Sequence, residues 1–148
     1  MGALVKKILV LYHEDVARRF PEHYRLPFLH YLPEWEYDVR LVGFNGAIDD
    51  IEQKGSCYFI PRIRANNLVG IVREFGETKR LLHEALELLQ REGFAPELVI
   101  SFNHPLLIAK GQKVAGKFGA KHFVHIGHLM AESLIRNGNF VNRVRGRA

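Results

Sequence analysis

Short apolar runs alternate with longer stretches of helical periodicity along the 148 residues of the chain. The apolar runs predict strands over residues 6–12, 37–44, 56–60, 98–102 and 122–126. Apolar positions at helical spacing predict helices over residues 68–91, 105–118 and 130–145. Because prolines interrupt residues 15–33, we expect a loop there with one short helix near residues 27–32.

Strands that alternate with helices in this way predict βαβ units. The sequence therefore predicts an α/β fold: one domain with a mainly parallel sheet and helices on both faces. The uninterrupted apolar runs at residues 8–11 and 98–100 support this fold, because they are typical of strands that are covered on both sides. Gly111 and Gly116 fall inside a predicted helix, where we expect them to allow close packing of helix on sheet.

Polar side chains follow the ends of four predicted strands. In open α/β sheets, ligands bind outside the carboxyl ends of the strands. The sequence therefore predicts a polar site at one edge of the sheet, with a set of candidate binding residues: His13, Glu14, Asn45, Asn103, His104 and Gly127. Imidazole titrates near pH ~6.5, so the histidines in these segments have the right chemistry for proton transfer. A structural hydrogen bond is the alternative role for any one of them.

Histidines also recur at a spacing of three residues, at His122, His125 and His128. A metal site is not expected, because successive side chains of a strand point to opposite faces and His122 and His125 would therefore diverge. The single cysteine, Cys57, begins a predicted strand and is interpreted as structural. Its solitary presence excludes an intramolecular disulfide and favours a reducing compartment.

Several common site motifs are missing from the sequence. The turn after the first predicted strand lacks the glycines of a dinucleotide-binding loop and carries acids instead. The nucleophile elbow of the α/β-hydrolases is absent. No apolar run approaches the ~18 residues that span a membrane, and the N-terminal apolar run is too short for the core of a signal peptide. We therefore expect a cytoplasmic protein.

Charge is unevenly distributed within the net charge of +5. Residues 110–148 carry eight Lys or Arg against one acid, a balance of +7, whereas residues 1–109 carry −2. The basic end could meet a phosphate-bearing substrate, an anionic membrane surface or nucleic acid, or could be a solvated tail. Lys110, Lys113 and Lys117 form a helical stripe within it, which we interpret as a solvated face. Without a nucleic-acid-binding motif or an aromatic–basic stripe, we expect no nucleic acid partner.

The order of elements resembles the N-terminal, Rossmann-like half of the GT-B glycosyltransferases, family 4 in particular. The resemblance rests on three segments: the opening strand Lys7-Ile8-Leu9-Val10-Leu11, the strand introduced by proline and acid in Ala95-Pro96-Glu97-Leu98-Val99-Ile100-Ser101, and Phe123-Val124-His125-Ile126-Gly127. The last is similar to the aromatic–Val–His segment of mannosyltransferases that build lipid-linked or surface glycans. The resemblance as a whole covers roughly residues 6–145.

The resemblance implies that His125 is catalytic and helps to position the reacting sugar or acceptor, with His128 as its rival. It also implies a nucleotide-sugar co-substrate, a sugar or lipid-linked acceptor and no other cofactor. The family's C-terminal half, which makes most donor contacts, has no counterpart in this sequence. The chain thus resembles an acceptor-side domain or subunit that needs a second, donor-binding Rossmann-like domain and is inactive alone.

One alternative from another functional class stays open at this point. A non-catalytic Rossmann-like module that binds a nucleotide or a protein partner would have the same pattern of strands and helices. In either case, the basic C-terminal third is expected to allow peripheral contact with an anionic membrane.

Overall fold

The computed structural model of the protein describes residues 7–17, 25–62 and 67–126. The strands of its sheet are β1 (Lys7–Asp15), β2 (Asp38–Asn45), β3 (Glu52–Lys54), β4 (Cys57–Pro61), β5 (Leu98–Phe102) and β6 (Lys121–His125). The helices of the described residues are α1 (Arg25–Tyr31, wound as a π-helix), α2 (Leu32–Glu34), α3 (Leu68–Arg91) and α4 (Pro105–Phe118).

These strands form one six-stranded sheet in the order β3-β4-β2-β1-β5-β6. All neighbouring strands pair in parallel except β3, which is antiparallel to β4. The predicted α/β class, mainly parallel sheet and single domain are confirmed. The topology is consistent with a Rossmann-like fold, since each parallel connection passes through a helical or loop crossover.

Helices cover both faces of the sheet, as predicted. On one face, α3 and α4 pack on a core that includes Leu9, Leu11, Val42 and Val99. On the other face, side chains of α1 and α2 pack against a second cluster formed by alternate residues of the same strands. The central strands β1 and β2 are therefore buried from both sides, which explains their uninterrupted apolar runs.

Backbone signals in the sequence fix the ends of α3 and α4. The side chain of Asn67 caps α3 by accepting a hydrogen bond from the amide of Gly70. Beyond the other end of α3, Gly93 adopts a left-handed backbone with φ of 80°, and Gly119 ends α4 in the same way with φ of 63°. Glycine adopts this conformation without steric cost.

Two differences from the sequence-based prediction concern the ends and edges of the sheet. Strand β1 extends through His13 and Glu14 to Asp15, with a shift in register between Leu11 and Asp15. Strand β3 was not predicted, because its three residues are polar and carry no apolar pattern. The helix predicted over residues 130–145 lies outside the described residues.

Candidate functional site

The carboxyl ends of β1, β2, β4, β5 and β6 meet at one edge of the sheet, as their parallel pairing requires. We call the polar residues at these ends the carboxyl-edge site. Its described members are His13, Glu14, Asn45, Arg62, Asn103, His104 and His125. Gly127 and His128, also predicted from the sequence, lie outside the described residues.

An aromatic cluster centred on Phe102 brings two of the predicted histidines together. The imidazole of His13 stacks on the Phe102 ring at a centroid distance of 5.6 Å and an interplanar angle of 11°. The ring of His125 lies 4.8 Å from the same phenyl ring. Tyr12 and Phe28 contact Phe102 edge-on, at 5.1 Å and 5.6 Å. Phe102 is buried whereas His125 is exposed, so the His125 imidazole lies over an apolar base and is accessible to a ligand.

Glu14 supplies the acidic part of the carboxyl-edge site. Its carboxylate accepts a hydrogen bond of 3.0 Å from the hydroxyl of Tyr12. The other carboxylate oxygen lies 4.0 Å from Nε2 of His13, and both side chains are 25% exposed. At 4.0 Å this contact is electrostatic and is not a hydrogen bond. The pair places a carboxylate and an imidazole side by side at the edge of the sheet.

Arg62, which the sequence analysis did not nominate, brings a positive charge to the site. It follows the carboxyl end of β4, and its guanidinium lies 4.8 Å from the centre of the Phe44 ring. Its side chain donates to the backbone carbonyl of His13, and its amide donates to the carbonyl of Asn45. Arg62 therefore links the ends of three strands. The rule already applied to the other strand ends would have identified it.

His104 has a structural role at the start of α4. Its Nδ1 accepts a hydrogen bond from the amide of Leu106, so the imidazole caps the helix. Burial, followed by the positive charges of Arg62 and His13, lowers the pKa of His104 to about 4. The ring is therefore neutral at pH 7, as an accepting Nδ1 requires.

Asp15 is a second residue that the sequence analysis did not place among the site candidates. It is buried, and its carboxylate accepts hydrogen bonds from the amides of Gly46 at 2.8 Å and Ala17 at 3.0 Å. A Cβ on Gly46 would lie 2.5 Å from this carboxylate, so only glycine fits there without a shift. Asp15 therefore fixes the ends of β1 and β2 beside each other.

The two candidate asparagines differ in their surroundings. The side chain of Asn45 accepts a hydrogen bond from the amide of Ala47 and so stabilises the turn after β2. Asn103 is half-buried between Phe102 and His104 along the chain. Both lie at the predicted edge.

His122 lies on the opposite side of the sheet from His125, as the strand alternation predicted. Its Nε2 is 2.9 Å from the hydroxyl of Ser101, under α4, whereas His125 contacts Phe102 on the other face. Among the residues that the structure describes, no group of three or more His, Cys, Asp or Glu side chains is placed to hold a metal ion. Cys57 begins β4 and is buried in the core, consistent with its predicted structural role.

Comparison with known proteins identifies no family for this chain. No protein-family model matches the chain, and no curated protein matches it significantly. Within residues 7–17, 25–62 and 67–126, no helix is both long and apolar enough to cross a membrane.

Proposed function

We propose that this domain binds the acceptor of a nucleotide-sugar-dependent glycosyltransferase, while a second Rossmann-like domain or subunit binds the donor. The observation that carries the proposal is the exposed imidazole of His125, which contacts the same Phe102 ring as His13 of the His13–Glu14 pair. Sugar transfer forms a bond between an acceptor oxygen and the donor's anomeric carbon, and it releases the nucleoside diphosphate. The acceptor hydroxyl loses its proton in the process, and an imidazole can accept one near neutral pH.

The same geometry supports a sugar or lipid-linked acceptor better than a nucleotide. The carboxyl end of β1 has Glu14 and Asp15 where a nucleotide-binding fold would present glycines to a phosphate. Two carboxylates there would repel a pyrophosphate, whereas the partly exposed carboxylate of Glu14 suits the hydroxyl groups of a sugar as a hydrogen-bond acceptor. In this proposal the basic residues after position 110 contribute peripheral contact with an anionic membrane, and nucleic acid is not a partner.

Ligand titrations monitored by NMR test the proposal on the 148-residue chain. An alkyl mannoside or alkyl glucoside stands in for the acceptor, and GDP-mannose and UDP-glucose stand in for the donor. We expect the alkyl glycoside to shift the ring signals of His13 and His125, and we expect His125→Ala to weaken that binding. His30→Ala is the matched control, because His30 is an exposed histidine on α1. Sugar-nucleotide binding at these rings without alkyl glycoside binding would contradict the proposal.

A non-catalytic partner-binding module is the second candidate, and one observation favours it. The first turns of α3 expose the apolar side chains of Leu68, Val69, Val72 and Phe75. Scattered exposed apolar residues are ordinary, but four at neighbouring helical positions are typical of a contact surface. If this candidate is correct, Val69→Ser/Val72→Ser abolishes partner binding, and His125→Ala leaves every measured activity unchanged.

A further inference from the structure

An open groove separates α3 from α4 on the face of the sheet that these two helices cover. It has a volume of about 270 Å³, and the buried side chains of Leu86 and Val114 line its apolar part. Lys110, Lys113 and Lys117 line it from α4. Their spacing of three and four residues places all three on one side of that helix.

The positive surface continues from this α3–α4 groove along α3. Lys79 and His83 line an adjoining depression together with Lys110. Lys79 and Lys113 are exposed, and Lys110 is half-buried. Lys110 lines both the groove and this depression, so lysines from two helices border two adjoining hollows.

Acidic side chains near the groove are already engaged with other partners. Glu87 pairs with His83 at 3.2 Å and with Arg91 at 3.9 Å. Glu77 and Glu84 both pair with Arg80. Among the described residues, no acidic side chain lies within 4.0 Å of Lys79, Lys110 or Lys113. These three lysines therefore make no ion pair within the described part of the chain, and Glu87 is the acidic side chain that lines the groove with Lys110 and Lys113.

This arrangement raises the energy of the charged form of Lys110. Burial lowers the pKa of Lys110, and the neighbouring charges of Lys113 and Lys79 lower it further. A bound anion would offset the repulsion at the Lys110 ammonium. The Lys117 ammonium, in contrast, is held by the side chain of Gln90.

We propose that the α3–α4 groove and the depression that adjoins it at Lys110 together bind a phosphate-bearing ligand through Lys79, Lys110 and Lys113. Each ammonium group is a compact charge with three donors, which suits the several acceptor oxygens of a phosphate. Soluble diphosphates and phospholipid headgroups share this chemistry, so the test has an arm for each source. The inference does not depend on the proposed function, because the groove lies between α3 and α4 and not at the carboxyl edge of the sheet.

Isothermal titration calorimetry of the full chain with inorganic pyrophosphate tests whether the groove binds a soluble diphosphate. We expect saturable binding that Lys110→Gln/Lys113→Gln weakens by about tenfold or more. Lys54→Gln/Lys121→Gln is the matched control: it removes the same charge from exposed positions on β3 and β6, and neither residue lines the groove or the adjoining depression. The control should bind nearly as well as the wild type. Circular dichroism checks folding, and Lys113→Gln alone carries the test if the double variant does not fold.

Sedimentation with vesicles tests the lipid source. Phosphatidylcholine vesicles with and without phosphatidic acid are compared at fixed salt, using the same two double variants. Binding that requires phosphatidic acid and is lost only in Lys110→Gln/Lys113→Gln supports the site, and a simultaneous lack of pyrophosphate binding identifies a headgroup as its ligand. Binding of pyrophosphate alone supports a soluble ligand. The proposal is overturned if neither probe binds, or if both double variants lose binding equally.

Discussion

The hydroxyl of Ser101 lies 2.9 Å from Nε2 of His122, directly beneath Gly111 of α4. The same hydroxyl donates to the backbone carbonyl of Leu107, at 3.1 Å. Because the single hydroxyl hydrogen is used there, Ser101 accepts from His122. Strand β5, strand β6 and helix α4 are thus joined by one polar contact inside an apolar layer, at a point where the helix approaches the sheet most closely.

We expect Gly111→Ala to destabilise the protein by about 1–3 kcal/mol, the usual cost of overpacking a core. The added Cβ would lie 2.0 Å from the Ser101 hydroxyl and 2.7 Å from Nε2 of His122. Chemical denaturation monitored by circular dichroism measures the change. The matched control is Gly116→Ala in the same helix, where an added Cβ meets no described atom within 4 Å.

That control should stabilise the protein by about 0.5–1 kcal/mol, because alanine is the better helix former. A Gly111→Ala protein as stable as wild type would show that the helix can move away from the sheet at no cost.

The sequence analysis expected both glycines to allow close packing. The expectation is confirmed for Gly111 and wrong for Gly116. Gly111 lies on the buried side of α4 with Leu107 and Val114, whereas Gly116 falls on the exposed side.

Most of the fold was predictable because its signals are local. Doubly buried strands are continuous apolar runs, as at β1 and β5, and α3 and α4 have helical periodicity with glycine beyond their ends. Strand β3 could not be predicted, because a three-residue polar edge strand is stabilised by pairing with β4 and has no sequence pattern of its own. The π-helical α1 was also unpredictable in form, since its apolar residues pack on the sheet in a segment where prolines dominate the sequence signal.

The candidate site was predictable in location but not in its internal roles. The rule that ligands bind at strand carboxyl ends located His13, His104 and His125 at one edge. Only the structure separates them: His104 caps α4, whereas His13 and His125 contact Phe102. Such roles depend on side-chain directions and on neighbours distant in sequence, which a strand pattern does not encode. The resemblance to family 4 glycosyltransferases stays a prediction.

Lowering the pH should destabilise the protein through His104. The folded-state pKa of about 4 lies below the ordinary value of 6.5, so the unfolded state binds more protons between these values. The stability contributed by the neutral ring is therefore complete above pH 6.5 and is lost as the pH falls towards 4. Denaturation midpoints at pH 7.5 and pH 5 should differ less in His104→Asn, which keeps a capping side chain but does not titrate. An unchanged pH dependence in that variant would contradict this assignment.

High pH should act on a different contact, between Tyr58 and Glu92. Burial, followed by the hydrogen bond to Glu92 and its negative charge, raises the pKa of Tyr58 to about 12. The neutral phenol is favoured in the folded state, so its contribution is complete below pH 10 and is lost as the pH rises through 12. Tyr58→Phe should cost about 1 kcal/mol at pH 7 and should reduce the alkaline destabilisation. Tyr31→Phe, at an exposed position, should change neither quantity.

The 148-residue chain by itself should transfer no sugar from a sugar nucleotide to an acceptor. Transfer requires donor and acceptor in reacting geometry, and the proposed function assigns only the acceptor to this domain. Assays with radiolabelled sugar nucleotides and alkyl glycoside acceptors measure the transfer. Turnover by this chain above a His125→Ala background would refute the assignment of the donor to a second domain.

If the proposed function is correct, His125 is essential for transfer by this domain together with its donor-binding partner, whereas its contribution to folding should be small. The imidazole is exposed at the end of β6 and contacts the protein through the ring of Phe102. His125→Ala should therefore leave the melting temperature nearly unchanged and reduce transfer by about 10²-fold or more, the scale of a lost acid–base or positioning group. His125→Phe separates chemistry from packing, because phenylalanine can keep the ring contact but cannot exchange a proton. If His125 acts chemically, both variants lose transfer, while His30→Ala retains it. Wild-type transfer in His125→Phe would instead mean that the ring only packs against Phe102, and His128 would become the candidate.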